Sequence, residues 1–476
     1  MGNFGEIVDI LPVRIMMLHL HIFYWQSRKN NDTISTSILI VYKEGMTMWT
    51  KRLLMALLCV VMCFSVLACG DGGSAPTFVP GTHTPADSTI AATPTPDTPT
   101  PTPSGGIAYV PQGEENYTVT LDPNMEYWDY PVSKVGQVFT HSLIAYLEMT
   151  DLDTNPESYW RNECITVSEF KRFLQSAYEN DYVLINMNYI YEYKQDADGV
   201  LRAYLKQSIK LPKGKKGLIL SIDDMTFNPW QHGKGRVDRI VVHNGRLASA
   251  TWMNDGTVDY SYDREVAPIV EQFCLEHPDF SFAGAKCMLA VNAQFGLLGY
   301  RTADSFEGKT DYDGTIISVA QEREEAKAVV AYLKNNGFYF ACHGYQHLAV
   351  NTFTAEKLQE EFRLWNKEMK SLIGYTSIYV YPQGAWADYG TEQHNILLSE
   401  GFHVFCGTFM GEALMNGMPK ATDVGNIFTQ RCILQGNTLR LYAENGKADG
   451  TWFWKYCDPY AVYDNNARYH KLQKPA

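Results

Sequence analysis

Gly217-Leu218-Ile219-Leu220-Ser221-Ile222-Asp223-Asp224 is the stretch around which the chain is organised. A run of apolar and β-branched residues ends abruptly in two carboxylates. A buried parallel strand reads this way when it delivers acids to the mouth of an α/β barrel. Successive strand residues point to opposite sides, so the two acids need not share one task. One can hold a metal while its neighbour takes a proton from water. Alone, the pair also reads as a helix N-cap and its neighbour.

The residues downstream of the pair favour the barrel. Residues 239–246 run into Asn244-Gly245, a strong hairpin signal, and a second turn at Asn254-Asp255-Gly256 closes an inserted β-element. Helical patterns at 264–276, 321–336, 355–372 and 392–400 alternate with apolar strands at 286–292, 338–342, 377–381 and 403–408. The segments 427–434 and 438–443 read as the last β-strands. Strands alternating with helices imply parallel pairing and right-handed crossovers, and in closed barrels the chemistry collects at the strand carboxyl ends. Upstream, 109–211 reads as a mixed lead-in: a helix capped by Thr166 or Ser168, a strand at 182–185, and a hairpin over 188–209 broken at 196–199.

A second strand, Phe338-Tyr339-Phe340-Ala341-Cys342, ends in His343-Gly344-Tyr345-Gln346-His347. Two histidines four apart can face one metal from one helical turn. One carboxylate and two imidazoles suit Zn²⁺ or a similar divalent ion. The next strand, Ile378-Tyr379-Val380, ends in the turn Tyr381-Pro382-Gln383-Gly384-Ala385-Trp386.

With these motifs, the region from about 217 to 441 resembles the polysaccharide deacetylases with a NodB-type domain. The Asp pair, the HxxxH and the proline turn correspond to that family's first three motifs. The resemblance implies a distorted (β/α) barrel that removes acetyl groups from N-acetylated sugars. It implies Asp223 as general base and Asp224, His343 and His347 as ligands of a divalent metal, Zn²⁺ first among them. A backbone N–H near Gln383 would hold the oxyanion, with Tyr381, Pro382, Gln383 and Trp386 on the substrate side; Trp386 reads equally as a packing residue. Two family features are missing from their usual places. The third motif, 377–384, has no Arg to orient the base, and 427–441 has no His to protonate the leaving amine. His232, in the loop after the Asp pair, is a substitute acid or a surface histidine.

The 476 residues carry a formal charge of −13, which argues against nucleic acid as partner. Aromatic content of 13% fits sugar-stacking surfaces and large aromatic cores alike. Lys51-Arg52 followed by an apolar run and Val66-Leu67-Ala68-Cys69 describe a secretory signal. The Cys after Ala68 resembles a bacterial lipobox, which implies lipidation at Cys69. The same run as an uncleaved anchor is short for about 30 Å of hydrocarbon. Residues 72–106 are mostly Pro, Thr, Ser, Gly and Ala, with no apolar face to bury. Seven cysteines lie beyond the signal region without CxxC spacing, which is no disulfide framework.

The chain thus divides into 1–45, upstream translation or a disordered extension; 46–68, a lipoprotein signal peptide; 69–107, a Pro/Thr-rich linker; 108–211, the lead-in; 212–445, a catalytic domain; and 446–476, an aromatic tail. The expected function is metal-dependent deacetylation of N-acetylated cell-wall or capsular polysaccharide, from the outer face of a bacterial membrane. An O-acetyl carbohydrate esterase and a glycan-binding lipoprotein with little or no turnover are the alternatives.

Overall fold

The computed structural model describes residues 116–150, 164–195, 199, 201–409, 412–446 and 451–474. The expected signal peptide, Cys69 and the Pro/Thr-rich linker lie outside the described residues.

Seven strands form the centre: β1 (Gly136–Thr140), β2 (Lys216–Ile222), β3 (Met288–Val291), β4 (Tyr339–Cys342), β5 (Ile378–Val380), β6 (Val404–Phe409) and β7 (Ala421–Ile433). Each pairs in parallel with the next in chain order. The ring closes where β7 meets β1, with Cys432 opposite Val138 and Ile433 opposite Phe139. This is the distorted (β/α) barrel that the motifs implied. Its first strand lies at 136–140, inside the stretch that reads from sequence as a lead-in.

Alternation along the strands separates two cores. Leu218, Leu220 and Ile222 of β2 face outward and share an apolar cluster with residues of the surrounding helices: Phe170 of α1 (Val167–Glu179), Val270 of α2 (Val266–Glu276), Val329 of α3 (Val319–Asn335), Phe362 of α4 (Ala355–Glu368) and Leu397 of α5 (Glu392–Ser399). Ile219, Ala290, Ala341, Val380, Cys406 and Ile427 belong to a second cluster inside the ring. Burial on both faces is why β2 reads as one continuous apolar run. Truncating a side chain such as Leu220 to Ala removes buried contacts and costs about 2–5 kcal/mol.

Part of 116–212 outside α1 packs onto this inner cluster. Val135, Val183, Ile185 and Met187 join it, and Met187 N donates to Tyr339 Oη at 3.0 Å. A Cβ on Gly217 would lie 2.9 Å from Ile185 Cδ1, so a larger residue here would have to displace the end of that side chain. The inserted element between β2 and β3 is a three-stranded antiparallel meander of Arg239–His243, Arg246–Trp252 and Val258–Ser261. Its Asn244-Gly245 turn has φ of +49° and +74°, the backbone that a two-residue hairpin demands.

Two local expectations change. Residues 438–443 are helical, within α6 (Gly436–Glu444). Gln435 caps this helix, and Leu439, Tyr442 and Ala443 recur at helical spacing on its buried face. The C-terminal tail is also docked: Arg468 Nε donates to Glu169 Oε1 at 3.0 Å. Both side chains are buried, and Glu169 at the same time completes the capping box of Thr166 on α1. Among the described residues, the seven cysteines are buried free thiols, and no helix is long and apolar enough to cross a membrane.

Candidate metal centre and acid–base site

The site stands at the carboxyl end of the barrel. Asp224, His343 and His347 offer donor atoms that all lie within 4.8 Å of one another. His347 Nε2 is 3.6 Å from Asp224 Oδ1, and His343 Nε2 is 3.8 Å from the same oxygen. His343 Nδ1 lies 2.9 Å from the Val380 carbonyl, which fixes its proton there and turns the Nε2 lone pair toward the cluster. Burial pushes the His343 imidazole down to about 4, so it is the neutral, ligating form near neutrality. Asn292, just past β3, donates to Asp224 Oδ1 at 2.6 Å. This donor set fits a divalent transition metal.

The two histidines do not share a helical turn, as their spacing suggested. Residues 343–347 form a loop, with Gly344 at φ +73° and His347 at φ +56°. Asp224 (φ +60°) and Gln383 (φ +58°) are likewise left-handed. Such strain in non-glycine residues persists only where surroundings over-determine it, and it concentrates at functional sites.

Asp223 has different partners. The residue is 3% exposed and its carboxylate is held in a bidentate pair by Arg431: Nη1 to Oδ1 at 2.7 Å and Nη2 to Oδ2 at 2.8 Å. Burial alone would raise this carboxyl; Arg431, then His343, outweigh burial and bring it to about 2. Arg431 also bonds Ser221 Oγ at 3.0 Å and lies 4.3 Å over the Phe139 ring. The arginine absent from the third motif is therefore supplied by β7. Sequence reading missed it, although a lone Arg among Phe428, Cys432 and Ile433 signals a buried acid elsewhere.

A third histidine also stands at the barrel mouth. His141 follows β1, in register beside Asp223, whose N donates to the Thr140 carbonyl at 2.9 Å. In its protonated form His141 would favour the carboxylates of both Asp223 and Asp224. Gln435 Nε2 approaches His141 Nδ1 at 3.4 Å, which favours the proton on Nε2. The signal was faint: only Val138-Phe139 before Thr140-His141, in a strand interrupted by Gln137. His232 is engaged elsewhere: it bonds Asp238 at 2.9 Å and stacks on Tyr312.

The turn after β5 splits. Tyr381 is 1% exposed and stacked on Phe405 in the outer core, so it packs and does not face the groove. Pro382 is buried; Gln383 is exposed, and its Nε2 reaches the His347 carbonyl at 3.4 Å. Trp386 is half-buried against Phe428 and lines a cavity of about 420 Å³ with Asp388, Gln393 and Lys420.

Glu265 braces the turn behind His141. Its Oε1 accepts from Val266 N at 2.7 Å and its Oε2 from Leu143 N at 3.2 Å. Burial pushes this carboxyl up from 4.5 to about 7. A group raised by folding contributes stability that is present below its unfolded value and lost as pH climbs through its folded one. Unfolding titrations should therefore show Glu265→Gln gaining on the parent by about 3 kcal/mol between pH 4.5 and pH 8. A pH-independent difference would show that Glu265 is ionised throughout.

No family model matches the chain, and no curated protein matches it. Among solved structures it is similar to a Streptococcus pyogenes deacetylase, PplD, in complex with acetate, at 14% identity and a TM-score of 0.34, over 64% of this chain and 94% of that one. It is also similar to a Mycobacterium smegmatis protein provisionally assigned as a polysaccharide deacetylase (12%, TM-score 0.22, 34% and 44% covered). A third is the chitin deacetylase of the fungal pathogen Colletotrichum lindemuthianum (12%, TM-score 0.21, 43% and 81% covered). Identity at this level says nothing of chemistry; that comes from the side chains.

Proposed function

We propose that this protein is a metal-dependent hydrolase that removes acetyl groups from N-acetylated cell-wall or capsular polysaccharide. The observation that carries this reading is the pairing of an Asp-His-His cluster with a separate carboxylate, Asp223, clamped by Arg431 at the same barrel mouth. Asp224, His343 and His347 would hold a divalent cation, Zn²⁺ on this donor set, which would supply Lewis acidity to the carbonyl and to water. Asp223 takes the proton of the attacking water, with Arg431 fixing its orientation. The backbone N–H near Gln383 faces the developing oxyanion. His141 Nε2 gives a proton to the leaving nitrogen, and Trp386 offers a wall for a sugar ring.

The reading as a glycan binder with little or no turnover drew its support from the absent Arg and His; Arg431 beside Asp223 and His141 at the end of β1 favour the hydrolase. The proposed location is outside the cell membrane, tethered through Cys69 and the Pro/Thr-rich stalk.

The test is acetate release by purified, Zn²⁺-loaded protein from N-acetylated oligosaccharides and O-acetyl model esters. The parent should cleave the amide. An amine leaving group needs protonation far more than an alcohol does, so His141→Ala should lower amide cleavage by about 10²–10⁴-fold and ester cleavage much less. Equal losses on both substrates would remove His141 as the acid. No release from any acetylated substrate would return the protein to the binding class.

A further inference from the structure

The loop that carries His343 and His347 has no secondary structure of its own, and two of its residues are left-handed. What holds it comes from α4. That helix buries Ala355, Leu358, Glu361, Phe362, Trp365 and Glu368. Glu361 and Glu368 are seven apart and so share one face, at positions where the apolar stripe calls for hydrophobic residues. A buried carboxylate is costly unless its oxygens are satisfied. Glu361, 6% exposed, spends one oxygen on the loop: Oε2 accepts from Tyr345 N at 3.1 Å and from Gln346 N at 2.9 Å. Glu368, 3% exposed, accepts from Tyr345 Oη at 2.7 Å.

The contacts fall on the two residues between the histidines. Tyr345 is thus gripped through backbone and side chain and Gln346 through its backbone, and the turn that swings His347 back over Asp224 is pinned one residue before it. The same loop residue, Tyr345, bonds the far side of the site, its carbonyl accepting from Ala293 N and Gln294 N at 3.1 and 2.9 Å. Those two residues come directly after Asn292, which holds Asp224. The loop carrying two donors and the strand end steadying the third are therefore tied together at Tyr345.

We propose that Glu361 is a positioning residue for the metal centre, setting the separation of His343, His347 and Asp224 through the backbone of Tyr345 and Gln346. This rests on the reading of those three residues as metal ligands. Outer-shell partners of ligands commonly change metal affinity by about 10–100-fold when removed. Glu361→Ala should weaken Zn²⁺ binding in that range, measured on the full chain by competition with a chelating indicator. Glu361→Gln keeps an oxygen acceptor at the same place and should bind within about threefold of the parent. Glu361→Leu fills the volume without an acceptor; it should match the alanine variant and stands in for it if that variant does not fold.

A purely structural role would lower the melting temperature of the Ala and Leu variants and leave the affinity of the folded protein unchanged. Unchanged affinity in folded Glu361→Leu therefore overturns the proposal while the parent still binds Zn²⁺. A parent that binds no Zn²⁺ overturns the metal reading, and the proposal with it.

Discussion

Asp223→Asn is expected to lower acetate release by about 10²–10⁴-fold, the usual worth of a positioned general base, and to leave bound metal in place. The two aspartates are neighbours in sequence, but the strand sends them to different partners. Asp224 turns through a left-handed backbone to meet His343 and His347. Asp223 meets Arg431 and lies no closer than 4.0 Å to His343 Nε2. Asparagine keeps the shape and one acceptor for the guanidinium but cannot take a proton. Metal content and turnover measured on the same preparation decide the matter. Loss of metal equal to that of His343→Ala would show that both aspartates are ligands and that the base lies elsewhere.

Arg431→Leu should be the most destabilising change at the site, by about 3–5 kcal/mol in chemical denaturation, because it strands a buried carboxylate. The guanidinium is 1% exposed and gives Asp223 two short bonds. The cost therefore comes from the charge left behind more than from lost attraction, which predicts a particular double-mutant result. Adding Asp223→Asn to Arg431→Leu should recover part of the loss, since the remaining partner is then neutral. Strict additivity of the two single variants would mean that the pair does not interact as drawn. Activity of Arg431→Leu should fall as well, because among the described residues no other side chain bonds both oxygens of Asp223, the proposed base.

The parts legible in the sequence were those written in consecutive residues. The run 217–224 and the strand before His343 each announce a buried β-strand with polar cargo at its end, and the structure brings Asp224, His343 and His347 together. Arg431 and His141 were less accessible because each matters only through register. Arg431 reaches Asp223 across the seam between β7 and β1, and His141 stands beside Asp223 only once β1 pairs with β2. No local pattern contains both members of either pair. Tyr381 was misplaced for a simpler reason: one residue earlier or later on a strand end changes groove for core. The helix at 436–444 hid behind a short apolar run, too brief for period alone to separate strand from helix.

The seam where the barrel closes sets the order in which the molecule can assemble. Six of the seven strand pairings join neighbours along the chain, while the last joins β7 to β1, where Thr429 Oγ1 meets Gln137 Oε1 across 292 residues. Contacts of such sequence separation form late, because the loop they close carries a large entropic cost. Until they form, β1 and the end of β7 at Cys432 and Ile433, beyond the stretch that Ala413–Met418 covers in antiparallel pairing, are open edges with unpaired N–H and C=O groups, the geometry that recruits strands from other chains. The completed barrel has no such edge at this seam. Folding of this protein is thus a race between closing on itself and pairing with a neighbour, and Arg431, sitting beside the seam, finds Asp223 only when the first outcome wins.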